Sequence, residues 1–267
     1  MNLWFARTGA LGDFVTCLPT LDALADEGHT LVIVAPLRYR ALWDRAARWL
    51  DPEGGEVAAL FAGRVDLSDV ALAASASPTM RSTFAHAGVR RVLTLEATPR
   101  EPAYDHAWRV WGEALGWGPR DRVPRLIAPP LAAARMAARL GGRRPLVISP
   151  GSGGAAKRWP VARWAALAAG VPDVVWVGGP VEAAEPGWGS PRWDDLDLVD
   201  LVALAASCAA WLAPDSGPAH LAAAAGARTG VIFQTTDPQI WAPPGASVFT
   251  SDTTLDSLLT FVAGASG

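Results

Sequence analysis

Residues 2–21 read NLWFARTGALGDFVTCLPTL. The opening NLWFA is an apolar run of strand length, and from Phe14 onward apolar residues recur at helical spacing. Between the two lie Gly9, Gly12 and a single acid, Asp13. The stretch is therefore a strand, a tight turn and a helix, and the helix is predicted to run on to a stop at Gly28. Gly9 and Gly12 suit a loop that a phosphate or an acceptor can approach closely. Asp13 stands where the helix begins, and it has two readings. It can cap the helix by accepting backbone N–H bonds and complementing the dipole, or it can take a proton from a substrate. G-x-x-G-D is a weak motif and is not the dinucleotide fingerprint G-x-G-x-x-G, so both readings stay open at this point.

The same alternation continues along the chain. Strand candidates TLVIVAP (30–36), DVALAAS (69–75) and RVLTLEA (91–97) are separated by the helical stretches RYRALWDRAARWL and MRSTFAHAG, and AWRVWGEALGWG (107–118) closes this half. Near-continuous apolar strands alternating with helices predict a parallel sheet covered on both faces. GPRDRVPRLIAPP (118–130) is rich in Pro and Arg without apolar periodicity, and reads as an interdomain connection. Beyond it PLVISPGS, PVARWAALAAG, DVVWVGG, LVDLVALAASC, AWLAPDS, GPAHLAAAAG, TGVIFQ, SVFTS and TLDSLLTFVAGA repeat the pattern. The expected fold class is α/β, with two doubly wound Rossmann-like domains. Ligands in such sheets sit at the carboxyl ends of the strands, and with two domains the natural site is the cleft between them.

Composition narrows the class. The chain has 267 residues, 51% of them hydrophobic, and a formal charge of -3. These describe a globular protein and argue against nucleic acid as a partner. Cys17 and Cys208 lie far apart in apolar helical patterns, and are expected to be buried thiols in a reducing compartment. No run approaches the roughly 20 apolar residues of a membrane span, and the N-terminus lacks a cationic segment followed by an apolar one. A cytoplasmic, soluble protein is expected. Of the 23 basic residues only Lys157 is a lysine. A compact ammonium does what a planar guanidinium does not.

Three further stretches carry chemistry. In ISPGSGGAAKRWPVARW (148–164) a strand ends in a glycine-rich loop whose open N–H groups suit a phosphate. Ser152 is assigned to donor binding there, and Lys157 can reach in as a point charge. The Walker A order is absent, which disfavours nucleotide hydrolysis. In VWVGGPVEA (175–183) Glu182 is either a ribose-binding acid or a helix-start acid. In WLAPDSGPAHLAAAAGA (211–227) a strand delivers Asp215 and Ser216, and Gly217 permits close approach. His220 lies in the first turn of a helix whose N-terminus suits a diphosphate. Asp195 and Asp197 have the spacing of some metal chelates but fit a solvated helix start better. His86 and His106 show no ligand spacing, so no metal site is expected. The loops carrying Arg38, Tyr39 and Arg40, and Ser77, Thr79 and Arg81, are expected to overlook the cleft. Their arginines are candidates for gripping acceptor phosphates or acidic sugars, or are solvated helix starts.

RTGALGDFVTCLPTL, PGSGGAAKRWPVARWAALA, VGGPVE and DSGPAHLAAAAGARTGVIFQTTDPQIWAPPG, in this order, resemble glycosyltransferase family 9, the family of the ADP-heptose:lipopolysaccharide heptosyltransferases. The resemblance spans nearly the whole chain. It implies the GT-B fold, with an acceptor-binding domain over 1–128 and a nucleotide-sugar-binding domain over 129–250. It also implies a C-terminal helix in 251–267 that crosses back to the first domain. Asp13 matches the family's catalytic base, Lys157 its donor-phosphate lysine and Glu182 its nucleotide-contacting acid. Asp215, Ser216, Gly217 and His220 match its [DN]-[ST]-G-x-x-H donor element. The implied activity is inverting, metal-independent transfer of a sugar, heptose in particular, from a nucleoside-diphosphate sugar. The acceptor would be a hydroxyl of a lipopolysaccharide-core-like or other cell-surface glycan or glycolipid. No cofactor is implied, the nucleotide-sugar (ADP-heptose for the named members) being a substrate, and a lipid-linked acceptor implies peripheral contact with the inner face of the cytoplasmic membrane. A nucleotide-sugar epimerase and a catalytically retired binding protein are the alternatives. The chain departs from the family by being shorter than a typical member, and by having Gln234 and Thr235 where Gly-Pro precedes Thr-Asp-Pro.

Overall fold

Along the first strands, Trp4, Ala6, Val32, Val34 and Ala73 alternate with Leu3, Phe5, Leu31 and Ile33, and both sets are buried. Side chains on a strand point alternately to opposite faces, so this sheet is covered on both. The computed structural model of the chain describes residues 1–119, 123–179 and 188–264. It divides into two units, Met1–Pro124 and Arg125–Gly267.

The first unit holds five parallel strands: β1 (Asn2–Ala6), β2 (Thr30–Val34), β3 (Arg48–Leu50), β4 (Leu72–Ser75) and β5 (Arg91–Thr94), in the order β3-β2-β1-β4-β5. One face packs on the helices Gly55–Phe61 and Pro78–His86 through Val57, Leu60, Met80 and Phe84. On the other, Phe5 stacks on Trp111 of the helix Ala103–Leu115, with ring centroids 5.9 Å apart. The chain leaves β1 towards β2 and β3, then returns to β1's other side as β4. The loop after β1, which carries Gly9 and Asp13, therefore lies at the point where strand order reverses, the ligand position of such sheets.

The second unit holds six parallel strands: β6 (Leu146–Ile148), β7 (Val174–Val177), β8 (Arg192–Trp193), β9 (Ala210–Pro214), β10 (Thr229–Phe233) and β11 (Ser247–Thr250). Their order is β11-β10-β9-β6-β7-β8. Here the reversal falls between β6 and β9, which brings together the loops Ser149–Lys157 and Asp215–His220. At Gly230 an added Cβ would lie 2.5 Å from Leu212 Cδ2, so the close packing of β10 admits no side chain there.

Three expectations need correction or adjustment. The single helix predicted from Phe14 is two, Leu11–Val15 and Leu18–Asp26, because Pro19 has no N–H to continue the ladder and its ring excludes the preceding turn. RYRALWDRAARWL is not a helix. It forms a 3₁₀ turn over Leu37–Leu42 and the short strand β3, in which Val34 pairs with Leu50, so that sheet pairing overrides local propensity. The division falls after Pro124 and not after residue 128, since Leu126 is buried and donates its N–H to Ala224 O in the second unit. The last helix, Leu255–Ala263, packs within the second unit, where Leu258, Phe261 and Val262 share a core with Trp164 and Leu167. Both cysteines are buried free thiols, and burial pushes the Cys208 thiol up to about 12. Among the described residues no helix is long and apolar enough to cross a membrane.

Candidate active site

The turn after β1 is built around Asp13. Helix Leu11–Val15 has Ala10 at its N-cap without a side-chain cap, and Asp13 lies in its first turn. Its carboxylate meets the Arg7 guanidinium at 3.1 Å (Oδ1 to Nη2), with the arginine side chain 9% exposed and the aspartate 27%. The main chain of Asp13 is held separately, Thr16 Oγ1 and Cys17 Sγ both donating to its carbonyl at 2.8 and 3.2 Å. The acid is thus no cap; it is a partly exposed carboxylate aimed by a buried cation. Arg7 was missed in the sequence, though it opens the motif six residues before the acid it holds.

Gly9 is a glycine because of Asp13. Its φ is not in the left-handed region, but an added Cβ would stand 2.8 Å from Asp13 Oδ2. Replacing Gly9 by alanine should push the carboxylate off Arg7 and lower turnover by roughly tenfold or more, since misplacement of about 1 Å costs up to 10²-fold. Thermal unfolding should stay close to wild type, because the colliding atom is a side-chain tip. A loss of stability with unchanged kcat would contradict this role for Gly9. Gly12 lies within the helix and is buried.

The neighbouring loops differ in what they offer. Tyr39 is buried, donates to Gly9 O at 3.3 Å and packs on Phe14, which braces the Asp13 turn from β2. Burial raises its phenol above the ordinary range. Arg38 lies over the Tyr39 ring, and Arg38 and Arg40 are exposed and line a cavity of about 580 Å³ together with Trp43 and Arg45. Arg81 is used differently. One of its guanidinium nitrogens donates to the carbonyls of Ser75 and Ala76, while Ser77 caps the helix Pro78–His86.

In the second unit the two loops at the reversal are tied together by Asp215, which is 4% exposed. Its carboxylate receives Lys157 Nζ and Thr236 Oγ1, both at 2.8 Å, and faces His220 Nε2 at 3.5 Å. Ser152 Oγ donates to the Asp215 carbonyl at 3.0 Å. Burial alone would raise the Asp215 carboxyl, but the hydrogen bonds from His220, Lys157 and Thr236 outweigh it and bring it down to about 2. Asp215 therefore positions the groups around it, and the Lys157 side chain remains 35% exposed at the edge of the cluster. Ser216 is the N-cap of helix Gly217–Ala224, yet its hydroxyl makes no cap bond and is buried without a partner. Thr236 was missed as a member of the cluster, although it stands inside the TTDP stretch.

Glu182 lies outside the described residues. Asp197 caps the helix Leu198–Ser207 by accepting from Asp200 N–H, and Asp195 pairs with Arg139, so each has a structural partner. Among the described residues no group of three or more His, Cys, Asp or Glu side chains could hold a metal ion.

Residues 194–262 match the family model of glycosyltransferase family 9 (heptosyltransferase). No curated protein matches the chain. Among solved structures the chain is similar to a glycosyl transferase of family 9 from Veillonella parvula, at 15% identity over 98% of this chain and 88% of that one, with a TM-score of 0.75. It is similar to the ADP-heptose lps heptosyltransferase II of E. coli, at 17% identity over the full length of both and a TM-score of 0.74. It is also similar to the E. coli heptosyltransferase WaaC with ADP, at 14% identity over 99% of this chain and 100% of that one, with a TM-score of 0.68. These structures share the fold, two Rossmann-like units of the GT-B type. The matched model, which covers residues 194–262, is that of the family which the sequence motifs resemble.

Proposed function

We propose, on the premise that the chain belongs with glycosyltransferase family 9, that it moves a sugar from a nucleoside-diphosphate donor to a hydroxyl of a glycan or glycolipid. The observation that carries this reading is the second unit's cluster. There the chain's only lysine is held by a buried aspartate next to a helix start whose N-cap hydroxyl has no partner.

The second unit takes the donor and the first the acceptor. Asp13 removes the proton of the acceptor hydroxyl as its oxygen attacks the anomeric carbon. The bond from that carbon to the diphosphate breaks, and its electron pair leaves with the diphosphate. Such a single displacement inverts the anomeric centre. Lys157 and the N-terminus of helix Gly217–Ala224 stabilise the departing charge, supplying the positive field without a metal ion. The donor is ADP-heptose, the ligand class named for the neighbouring structures, and Glu182 contacts its nucleoside. The arginines at 38 and 40 suit an acidic or phosphorylated acceptor. A glycolipid acceptor would bring the protein to the inner face of the cytoplasmic membrane.

A thermal-shift panel of nucleoside diphosphates and nucleotide-sugars tests the donor site. The cognate nucleotide should stabilise the protein by about 2.7 kcal/mol at a hundredfold excess over Kd. If no nucleotide raises the melting temperature, the donor site is wrongly assigned.

A further inference from the structure

Two polar side-chain atoms in the second unit are buried without a hydrogen-bond partner: Ser216 Oγ and Gln234 Nε2. Their neighbourhood follows from the register. In the parallel β9–β10 pair Ile232 stands beside Pro214. Ser216 and Gln234 each follow these residues by two positions, in the loops that leave the adjacent parallel strands at the same end of the sheet.

The loop that carries Gln234 is fastened on its far side. Thr236 donates to Asp215, and Asp237 caps the helix Pro238–Trp241 by accepting from Gln239 N–H. The Thr236 bond holds the Gln234 loop against Asp215, the residue before Ser216. A buried N–H₂ group facing no acceptor is costly, and such groups in a folded protein call for a reason. Here the reason is supplied by what stands next to it: a helix start, an unpartnered hydroxyl and the Lys157–Asp215 pair.

We propose that Gln234 is a donor-reading residue, its amide N–H donating to an oxygen of the bound nucleotide-sugar beyond the nucleoside. That oxygen belongs either to the diphosphate or to a hydroxyl of the transferred sugar. Gln234 thereby helps to set which donor the pocket prefers. The inference rests on the donor-site reading above and adds a residue to it.

The test compares wild type with Gln234→Leu, which keeps the bulk and deletes the amide, by calorimetry with ADP, ADP-D-β-D-heptose, UDP and UDP-glucose. The variant should bind the preferred nucleotide-sugar about tenfold more weakly, the loss of one hydrogen bond to a charged or hydroxyl oxygen. If the parent nucleoside diphosphate weakens by the same factor, the contact is to phosphate; if it does not, the contact is to the sugar. Should Gln234→Leu fail to fold, Gln234→Asn replaces it, keeping the amide but withdrawing it by one methylene, with the same loss expected. Affinities equal to wild type for every probe that wild type binds would overturn the inference and leave the donor site standing. A wild type that binds none of the four would overturn both.

Discussion

Replacing Asp13 by asparagine should lower kcat by about 10²–10⁴-fold, the usual contribution of a positioned general base, while the Kd of the nucleotide stays at its wild-type value. The substitution is nearly isosteric, and Arg7 can still donate to the amide oxygen, so the turn should keep its shape. What disappears is the second carboxylate oxygen, the one free to accept a proton. Binding and chemistry should therefore separate, with calorimetric affinity retained and single-turnover transfer lost. A variant that transfers within a few-fold of wild type would remove Asp13 from the chemistry and return it to a structural role beside Arg7.

Replacing Asp215 by asparagine should cost about 2–3 kcal/mol of stability at neutral pH. The carboxyl lies at about 2 against an ordinary value of 3.8, and each unit of such a difference is worth roughly 1.4 kcal/mol. The contribution comes from the bonds of His220, Lys157 and Thr236, with the Lys157 share lessened by screening because its side chain is 35% exposed. The sign fixes the pH window. A carboxyl depressed in the folded state contributes its full stability above the unfolded value and loses it as pH falls towards the folded one. Urea unfolding should show wild type losing this increment between about pH 4 and pH 2, and the variant lacking it throughout. Equal slopes for the two proteins in that window would mean that Asp215 is not the group responsible.

The architecture was legible because strands buried on both faces spell continuous apolar runs, as TLVIVAP and TGVIFQ do. The edge strands β3 and β8 were not. Three and two residues carry no period, and their existence is decided by the neighbour they pair with. The break before Pro19 was readable from proline's missing N–H, yet apolar spacing across it masked the stop. At the site, Asp13, Lys157, Asp215 and His220 were all visible as residues, because polar groups at the carboxyl ends of strands stand out against an apolar background. Their relations were not visible. That Arg7 aims Asp13, that Gly9 is small to make room for its carboxylate, and that Asp215 holds its neighbours are facts of distance. Sequence order does not contain them.

Lys157 is the one side-chain amine among 267 residues. Acylating chemistry, whether a laboratory reagent or a reactive acyl metabolite, therefore has a single lysine to modify, and it is the one bonded to Asp215. An acyl group there would cancel the ammonium charge and leave every arginine cation in place. Covalent occupancy of one atom would then remove one of the two sources of positive field proposed for the pocket.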